Sequence, residues 1–280
     1  MPPPSAAVLM EELVEEYLLR IPPDDPATLF RAALVCKPWC RIVSGPRFRH
    51  RFRERHRTPP MLGFCYVIYD DPKDEDIARF APTTSFKFKP PRRIRRFWRA
   101  LHSRHGRVLL HAVNWGDGPF VVWDPITDEK RELPILPRLR DLYIWSATVF
   151  CAASSKCNHL DCQRGAFNVI AALTSCQEMR VYVYSSEVGA WSQVSAPKPG
   201  DYFLKEPAAP GALVGNSVYF SCFYNKKILK YDLGTREISL IDGPPPCSSE
   251  FQGASVLMTT EDGRRGGGIR AQLQAPHLVQ

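Results

Sequence analysis

Three cysteines and one histidine are the residues of this chain whose types are best suited to chemistry. Cys151, Cys157, His159 and Cys162 lie in the segment CAASSKCNHLDC. Thiolates and imidazole are the ligands of closed, four-coordinate zinc sites. Their spacing matches no common zinc motif, because only one residue separates Cys157 from His159, which makes a tetrahedral arrangement hard to wrap. The sequence therefore favours a polar loop between two repeats, and we expect no metal site.

Catalytic motifs are missing from the sequence. It contains no nucleophile elbow, Walker loop, dinucleotide fingerprint or His-Glu-x-x-His helix. Five of the seven histidines lie in or near basic segments, where carboxylates that would orient them for acid–base work are scarce. We expect no catalytic residue, no cofactor and no enzymatic activity.

A basic segment carries the positive charge of the chain. The net charge is +8, and nine Lys and Arg residues with no acidic residue lie between Lys87 and Arg107. Such a segment attracts polyanions, and Phe97 and Trp98 have rings that stack on bases. Because no nucleic-acid-binding fold is recognisable beside it, the sequence favours a surface loop that leads into a strand, with both aromatic rings packed down. Nucleic-acid binding is the alternative.

Cysteine usage and hydropathy indicate the cellular compartment in which the chain is located. The nine cysteines are an odd number without regular spacing, which favours free thiols in a reducing compartment. No apolar run is long enough to span a membrane, and the first residues do not resemble a secretory signal. We expect a location in the cytoplasm, the nucleus or both, and no membrane partner.

Residues 7–57 predict four short helices. The first is amphipathic and runs to about Arg20, and Asp24 or Asp25 caps a second that begins at Pro26. Lys37-Pro38 starts the third helix, and Gly45-Pro46 separates it from the fourth. So small a bundle buries little surface, so its apolar side chains predict either a docking surface for a partner or a cap on the rest of the chain.

From residue 105 onward the apolar pattern has the period of β-strands. A unit of strand, turn and strand occurs three times in the sequence. The equivalent aromatic residues of the three units, Trp123, Tyr184 and Tyr231, lie 61 and 47 positions apart. This spacing is close to the period of propeller blades. We expect an α+β, mainly β fold, in which a small helical bundle precedes an antiparallel, propeller-like repeat domain that is incomplete.

The residues from Leu9 to Trp39 resemble an F-box of the plant type. They follow the order Leu-x-x-Glu-Leu, then Leu-x-Arg-Ile-Pro-Pro-x-Asp, then Leu-x-Arg-Ala-x-Leu-Val-Cys-Lys-x-Trp. The sequence departs from the family at Leu9-Met10, where a Leu-Pro pair is usual. Residues 48–64 and the run from His105 to Leu110 resemble grass F-box proteins with kelch-like, F-box-associated repeats.

This resemblance implies a non-catalytic subunit of a cullin-type SCF ubiquitin ligase. The helices would bind a Skp-type adaptor that hangs on a cullin scaffold, and the β-repeats would bind a protein target of unknown identity. An F-box decoy without a target is the alternative. The expected adaptor-binding residues are Leu9, Met10, Leu13, Ile21, Pro22, Leu29, Val35 and Trp39.

Four segments follow from these patterns. Residues 1–57 are expected to form the F-box helical domain, and residues 58–104 a linker with a first strand and the basic segment. Residues 105–260 are expected to form the kelch-like repeats. Residues 261–280 lose alternation and aromatic residues, so an irregular tail is expected there, with a propeller that ends early.

Overall fold

A computed structural model describes most of the chain and divides it into two compact units. The helical unit comprises residues 1–62 and 83–86, and the β unit comprises residues 63–82 and 87–280. The described residues are 6–57, 63–68, 77–83, 98–112, 118–136, 144–153, 157, 159, 162–175, 178–197, 203–204, 211–222, 227–243, 255–259 and 269–273. Within these ranges no helix has the length and hydropathy needed to cross a bilayer.

The helical unit contains the four predicted helices. They are α1 (Ala6–Leu18), α2 (Pro26–Val35), α3 (Lys37–Ser44) and α4 (Pro46–His56). Asp25 caps α2, since its Oδ1 accepts from the Thr28 amide at 3.1 Å and its Oδ2 from the Thr28 hydroxyl at 2.6 Å. Proline lies in the first turn of α2, α3 and α4, where its missing N–H costs no helical hydrogen bond. These local signals therefore set the helix starts as predicted.

Apolar packing and ion pairs hold the helices together. The buried side chains of this unit are Leu18, Leu19, Ile21, Ala32 and Phe48. In the middle of α4, Arg51 Nη1 lies 2.8 Å from Glu15 Oε1, and one turn later Arg55 Nη1 donates to Glu16 Oε1 at 3.0 Å. His56 Nε2 lies 2.9 Å from the Leu19 carbonyl oxygen. The acidic face of α1 thus pairs with the basic helix α4.

The β unit contains sixteen strands among the described residues. They are β1 (Gly63–Ile68), β2 (Ile77–Pro82), β3 (Trp98–Arg104), β4 (Arg107–Ala112), β5 (Phe120–Trp123), β6 (Lys130–Glu132), β7 (Ile144–Cys151), β8 (Phe167–Thr174), β9 (Glu178–Ser185), β10 (Ala190–Pro197), β11 (Ala212–Val214), β12 (Ser217–Ser221), β13 (Lys227–Asp232), β14 (Ile238–Asp242), β15 (Ser255–Thr259) and β16 (Ile269–Leu273). Three antiparallel four-stranded sheets follow chain order: sheet 1 is β3–β6, sheet 2 is β7–β10 and sheet 3 is β11–β14. Strand β1 pairs with β2, and β15 pairs with β16.

The three aromatic residues that mark the sequence repeat occupy equivalent positions. Trp123, Tyr184 and Tyr231 lie in the third strand of sheets 1, 2 and 3. Each is paired with a valine of the second strand, and each side chain is buried. The mainly β architecture with three repeated sheets is therefore confirmed.

The middle sheet packs on both of its faces. Along β8, Val169 and Ala171 belong to a core shared with sheet 1, whereas Ile170 and Ala172 belong to a core shared with sheet 3. Side chains alternate between the two faces of a strand, so an uninterrupted apolar run supplies both cores. Sheet 2 therefore lies between sheets 1 and 3.

The turns that follow the third strands also share one geometry. The fifth residue of each turn has a left-handed backbone, with φ of 59° at Asp128, 75° at Gly189 and 59° at Arg236. In sheets 2 and 3 that residue's amide donates to the carbonyl of the residue four positions earlier, at 2.8 Å to Ser185 and 2.9 Å to Asp232. Glycine adopts this conformation at no steric cost, whereas other residues do not.

Opposite stability changes are expected when glycine is exchanged at two of these turns. Gly189→Ala should lower the free energy of unfolding by about 1 kcal/mol, because alanine is strained at a positive φ. No atom lies within 4 Å of the added Cβ, so no new contact offsets this strain. Arg236→Gly should raise it by a similar amount. Urea denaturation of both variants measures the two shifts, and shifts of the same sign would contradict the equivalence of the turns.

Three strands lie in segments for which the sequence pattern predicts less regular structure. Strand β2 follows the acidic sequence DDPKDED at residues 70–76, and β3 lies within the segment expected as linker and basic loop. Strand β16 lies in the expected irregular tail. Each gains its backbone hydrogen bonds from a neighbouring strand, and such pairing does not require the alternating apolar pattern on which the prediction depends.

Candidate functional site

Large apolar side chains are concentrated on the surface of the helical unit. Of the ten large apolar residues exposed in the described part of the chain, six lie on α1 and α2. Their exposed fractions range from 62% to 81%. We call this set the helical apolar surface, and its members are Met10, Leu13, Tyr17, Phe30, Leu34 and Val35. An exposed set of this kind is typical of a protein-interaction site.

Helix α1 exposes one apolar face and buries another. Met10, Leu13 and Tyr17 are three and four residues apart, so they follow one side of the helix. Val14 and Leu18 lie one position further along and pack into the helical core. Glu15 and Glu16 pair with arginines of α4, so α4 covers the acidic side of α1 rather than the exposed apolar side.

Helix α2 is apolar around most of its circumference. Its sequence, PATLFRAALV, contains one charged residue, Arg31. Ala32 is buried and Leu29 packs beside it, whereas Phe30 and Leu34 are exposed one turn apart. One face of a helix cannot bury so many apolar residues, so the remainder is left in solvent.

The predicted adaptor-binding residues fall into three environments. Met10, Leu13, Pro22 and Val35 are exposed. Leu29 and Trp39 are half-buried against the helical core, and Ile21 lies within that core with 6% of its surface exposed. The side chain of Leu9 lies outside the described residues. Their joint role in binding an adaptor stays a prediction.

Sequence reasoning did not include Tyr17, Phe30 and Leu34 in this surface. For Phe30 and Leu34 the composition of α2 contained a signal. A helix with one charged residue has more apolar surface than a small bundle buries, so some of its apolar residues must be exposed. For Tyr17 no comparable signal exists. The exposed and the buried apolar residues of α1 lie next to each other in the sequence, and only the packing of the helices shows which of them are exposed.

The cysteines and histidine at residues 151–162 converge in space. One ligand atom from each of Cys151, Cys157, His159 and Cys162 lies within 4.8 Å of all the others. Cys151 ends β7, and Cys162 begins a single-turn 3-10 helix before β8. His159 has a left-handed backbone with φ of 57°. Its Nδ1 lies 3.5 Å from Cys162 Sγ.

Buried groups surround this Cys/His cluster. Burial, with the neighbouring Cys151 and Cys157 thiols, raises the pKa of Cys162 to about 12. The guanidinium Nη2 of Arg107 donates to the Cys162 carbonyl oxygen at 2.8 Å. The ring of His105 stacks on that of His159, with 4.0 Å between centroids. Sheet 1 supplies both Arg107 and the turn that carries His105, so the cluster lies where sheets 1 and 2 meet.

The basic segment lies mostly outside the described residues. Trp98 begins β3 and packs, half-buried, beside Val108 and Trp123, which confirms for this ring the expected packed position. Phe97 is outside the described residues. Arg107 is buried and bonded to carbonyl groups, so it is not a surface cation. Nucleic-acid binding by this segment stays an untested alternative.

Comparison with known proteins gives one informative relative. No protein-family profile matches the sequence. The chain is 23% identical over 267 residues to an F-box protein of Arabidopsis thaliana, which covers 89% of this chain and 60% of the relative. This chain thus spans less than two thirds of the length of that relative. The distant similarity points to the F-box class of plant proteins and agrees with the resemblance of residues 9–39.

Proposed function

We propose that this chain is an F-box protein whose helical unit binds a Skp-type adaptor. The helical apolar surface carries this proposal, because its six side chains are exposed on a unit that already has its own core. Full burial of one such side chain contributes roughly 1.5–3 kcal/mol, so a partner with a complementary apolar groove would gain substantial affinity here. The similarity to a plant F-box protein supports a Skp-type adaptor as that partner.

The wider role follows from the F-box class. Attached to a cullin scaffold through the adaptor, the chain acts as the substrate receptor of an SCF ubiquitin ligase. It holds a target lysine near a charged ubiquitin carrier and contributes no catalytic side chain, so its effect is one of local concentration.

The β unit presents the target-binding surface of this receptor. Its stacked four-stranded meanders support a kelch-like, propeller-type arrangement, since sheet 2 packs between two similar sheets. Loops that connect the strands at the ends of such sheets vary without loss of the core, and they are the part of this fold that selects a protein target.

Charge placed on the exposed helical residues should weaken adaptor binding strongly. We expect Leu13→Asp with Leu34→Asp to weaken capture of a plant Skp-type adaptor by about 100-fold, because each aspartate buries a charge at an apolar contact. Both positions are exposed, so the helical unit should keep its circular dichroism spectrum. Isothermal titration or a quantitative pull-down with the full chain measures the effect.

Val188→Asp is the matched control. It introduces the same charge at an exposed apolar residue of the β unit and should leave adaptor affinity unchanged. Equal adaptor binding by the wild type and the double variant would refute the assignment of the surface. Failure of the wild type to bind any Skp-type adaptor would refute the F-box function itself.

A further inference from the structure

We propose that Cys151, Cys157, His159 and Cys162 form a structural zinc site. This inference does not rest on the F-box function. Four potential ligands, three thiols and one imidazole, place their ligand atoms within 4.8 Å of one another. Zinc in structural sites is bound by four such ligands in a tetrahedron, and Cys₃His is one of the common sets.

The distances between the ligand atoms fit a tetrahedral zinc ion. With Zn–S about 2.3 Å and Zn–N about 2.0–2.1 Å, a tetrahedral angle puts the sulfur and nitrogen atoms about 3.6 Å apart. Cys162 Sγ lies 3.5 Å from His159 Nδ1. Two thiolate sulfurs on the same ion are about 3.8 Å apart, so the 4.8 Å limit of the cluster leaves about 1 Å for closure on the metal.

A backbone hydrogen bond fixes one of the sulfur atoms of the cluster. The amide of His159 donates to Cys157 Sγ at 3.3 Å, and hydrogen bonds of this kind orient the ligands of a metal site. The left-handed conformation of His159 turns its imidazole back toward the sulfur atoms. Non-glycine residues rarely adopt this conformation, and it is retained here at a position that completes the ligand set.

Charge balance also agrees with zinc. A divalent ion with three thiolates and a neutral imidazole keeps one negative charge, which is costly to bury unless a cation lies near it. Arg107 supplies that cation, because its guanidinium donates to the Cys162 carbonyl oxygen at 2.8 Å and to that of Gly165 at 2.5 Å. The same arginine links sheet 1 to the metal loop of sheet 2.

Zinc would close the connection between β7 and β8. Cys151 is the last residue of β7, and Cys162 lies five residues before β8 begins at Phe167. Zinc would fix this loop at four points, and because the unfolded chain lacks a preformed site, the free energy of metal binding adds directly to the folding free energy. A disulfide would join only two of the three sulfur atoms and leave the imidazole without a role.

Metal content and cobalt spectroscopy test the proposal. The full chain, purified without a chelator and without a histidine tag, should contain about one zinc ion per molecule by plasma mass spectrometry. Cobalt added to metal-free protein should give the intense visible bands of a tetrahedral ion and a sulfur-to-cobalt charge-transfer band. Cys157→Ser should weaken cobalt affinity more than the roughly 100-fold that outer-shell changes cause.

Cys40→Ser is the control, since Cys40 is an exposed thiol of the helical unit and should have no effect on metal binding. A second measurement does not depend on the folding of a variant: chelation of wild-type protein should make three further thiols reactive toward a thiol reagent. Wild-type protein without zinc and without tetrahedral cobalt bands would overturn the proposal. A disulfide between two of the three cysteines in reductant-purified protein would overturn it as well.

Discussion

Acidification from about pH 7.5 to about pH 5 should destabilise the β unit by about 4 kcal/mol, because two histidines are held neutral in its interior. His102 lies in β3, and its Nδ1 accepts from the Val149 amide at 3.2 Å, with the Thr148 hydroxyl 2.8 Å away. His111 lies in β4 and packs against the rings of Phe120 and Trp145. Neither site accommodates a positive charge.

Desolvation sets the pKa of both residues. Burial lowers the pKa of His102 to about 3, with a smaller effect of Arg104. Burial also lowers the pKa of His111 to about 4, and Arg99 acts in the same direction. In the unfolded chain both residues would titrate near 6.5. Between the two values the unfolded state binds more protons than the folded state, so stability falls as the pH falls.

The pH window follows from these values. The stabilising contribution is complete above about pH 6.5 and decreases by about 1.4 kcal/mol per pH unit for each histidine below it. The loss continues to about pH 4 for His111 and to about pH 3 for His102. At about pH 5, each residue therefore costs about 2 kcal/mol.

Urea denaturation as a function of pH measures this effect, with tryptophan fluorescence as the signal, since five of the six tryptophans lie in the β unit. His102→Asn offers an acceptor oxygen near the Nδ1 position but no titratable proton, so its loss of stability between about pH 7.5 and about pH 5 should be smaller by about 2 kcal/mol. His50→Asn, at an exposed position of α4, should keep the wild-type dependence. An unchanged slope in His102→Asn would exclude this histidine as the source.

Replacement of Arg107 by methionine should destabilise the β unit by about 3 kcal/mol at neutral pH, because two carbonyl oxygens, one of them buried, would lose a charged donor. Arg107 Nη2 donates to the carbonyl oxygens of Cys162 and Gly165. Its guanidinium carbon lies 5.1 Å from the centroid of the Phe167 ring, which adds a cation–π contact. Methionine fills a similar volume, so the loss reports these polar contacts rather than a cavity.

Two further variants define the cause. Arg107→Lys keeps the charge and one of the two hydrogen bonds, so its loss of stability should be intermediate. Arg164→Met makes the same exchange at an exposed arginine in the adjacent 3-10 turn and should change stability by no more than about 0.5 kcal/mol. Chemical denaturation of the three variants gives the comparison, and equal effects at Arg107 and Arg164 would contradict a special role for Arg107.

Local signals explain why the helices were predicted accurately. Asp25-Pro26, Lys37-Pro38 and Gly45-Pro46 act on the backbone within one turn, so their effect does not depend on distant residues. The equivalence of Trp123, Tyr184 and Tyr231 was also predictable from the sequence. Each lies at the same position of a repeated strand pair, and the period of two along a strand is visible in the apolar pattern.

The Cys/His cluster was not predicted from spacing. Zinc motifs in sequence describe ligand pairs at short, fixed spacings, whereas here β7 and the 3-10 helix deliver ligands from the two ends of a loop. The left-handed backbone at His159 was not predictable either, because few non-glycine residues adopt it, although histidine does so more often than most.

The sequence by itself determined where the helices begin and that three β-repeats follow a small helical bundle, because caps, prolines and strand periodicity act between neighbouring residues. Tertiary structure alone decided which apolar residues stay in solvent, since Leu13 and Leu18 lie on one helix with opposite fates. It also decided that Cys151 and Cys162 meet and that His102 of sheet 1 contacts Val149 of sheet 2. Burial and convergence depend on contacts between residues far apart in the chain, and a single sequence does not contain those distances.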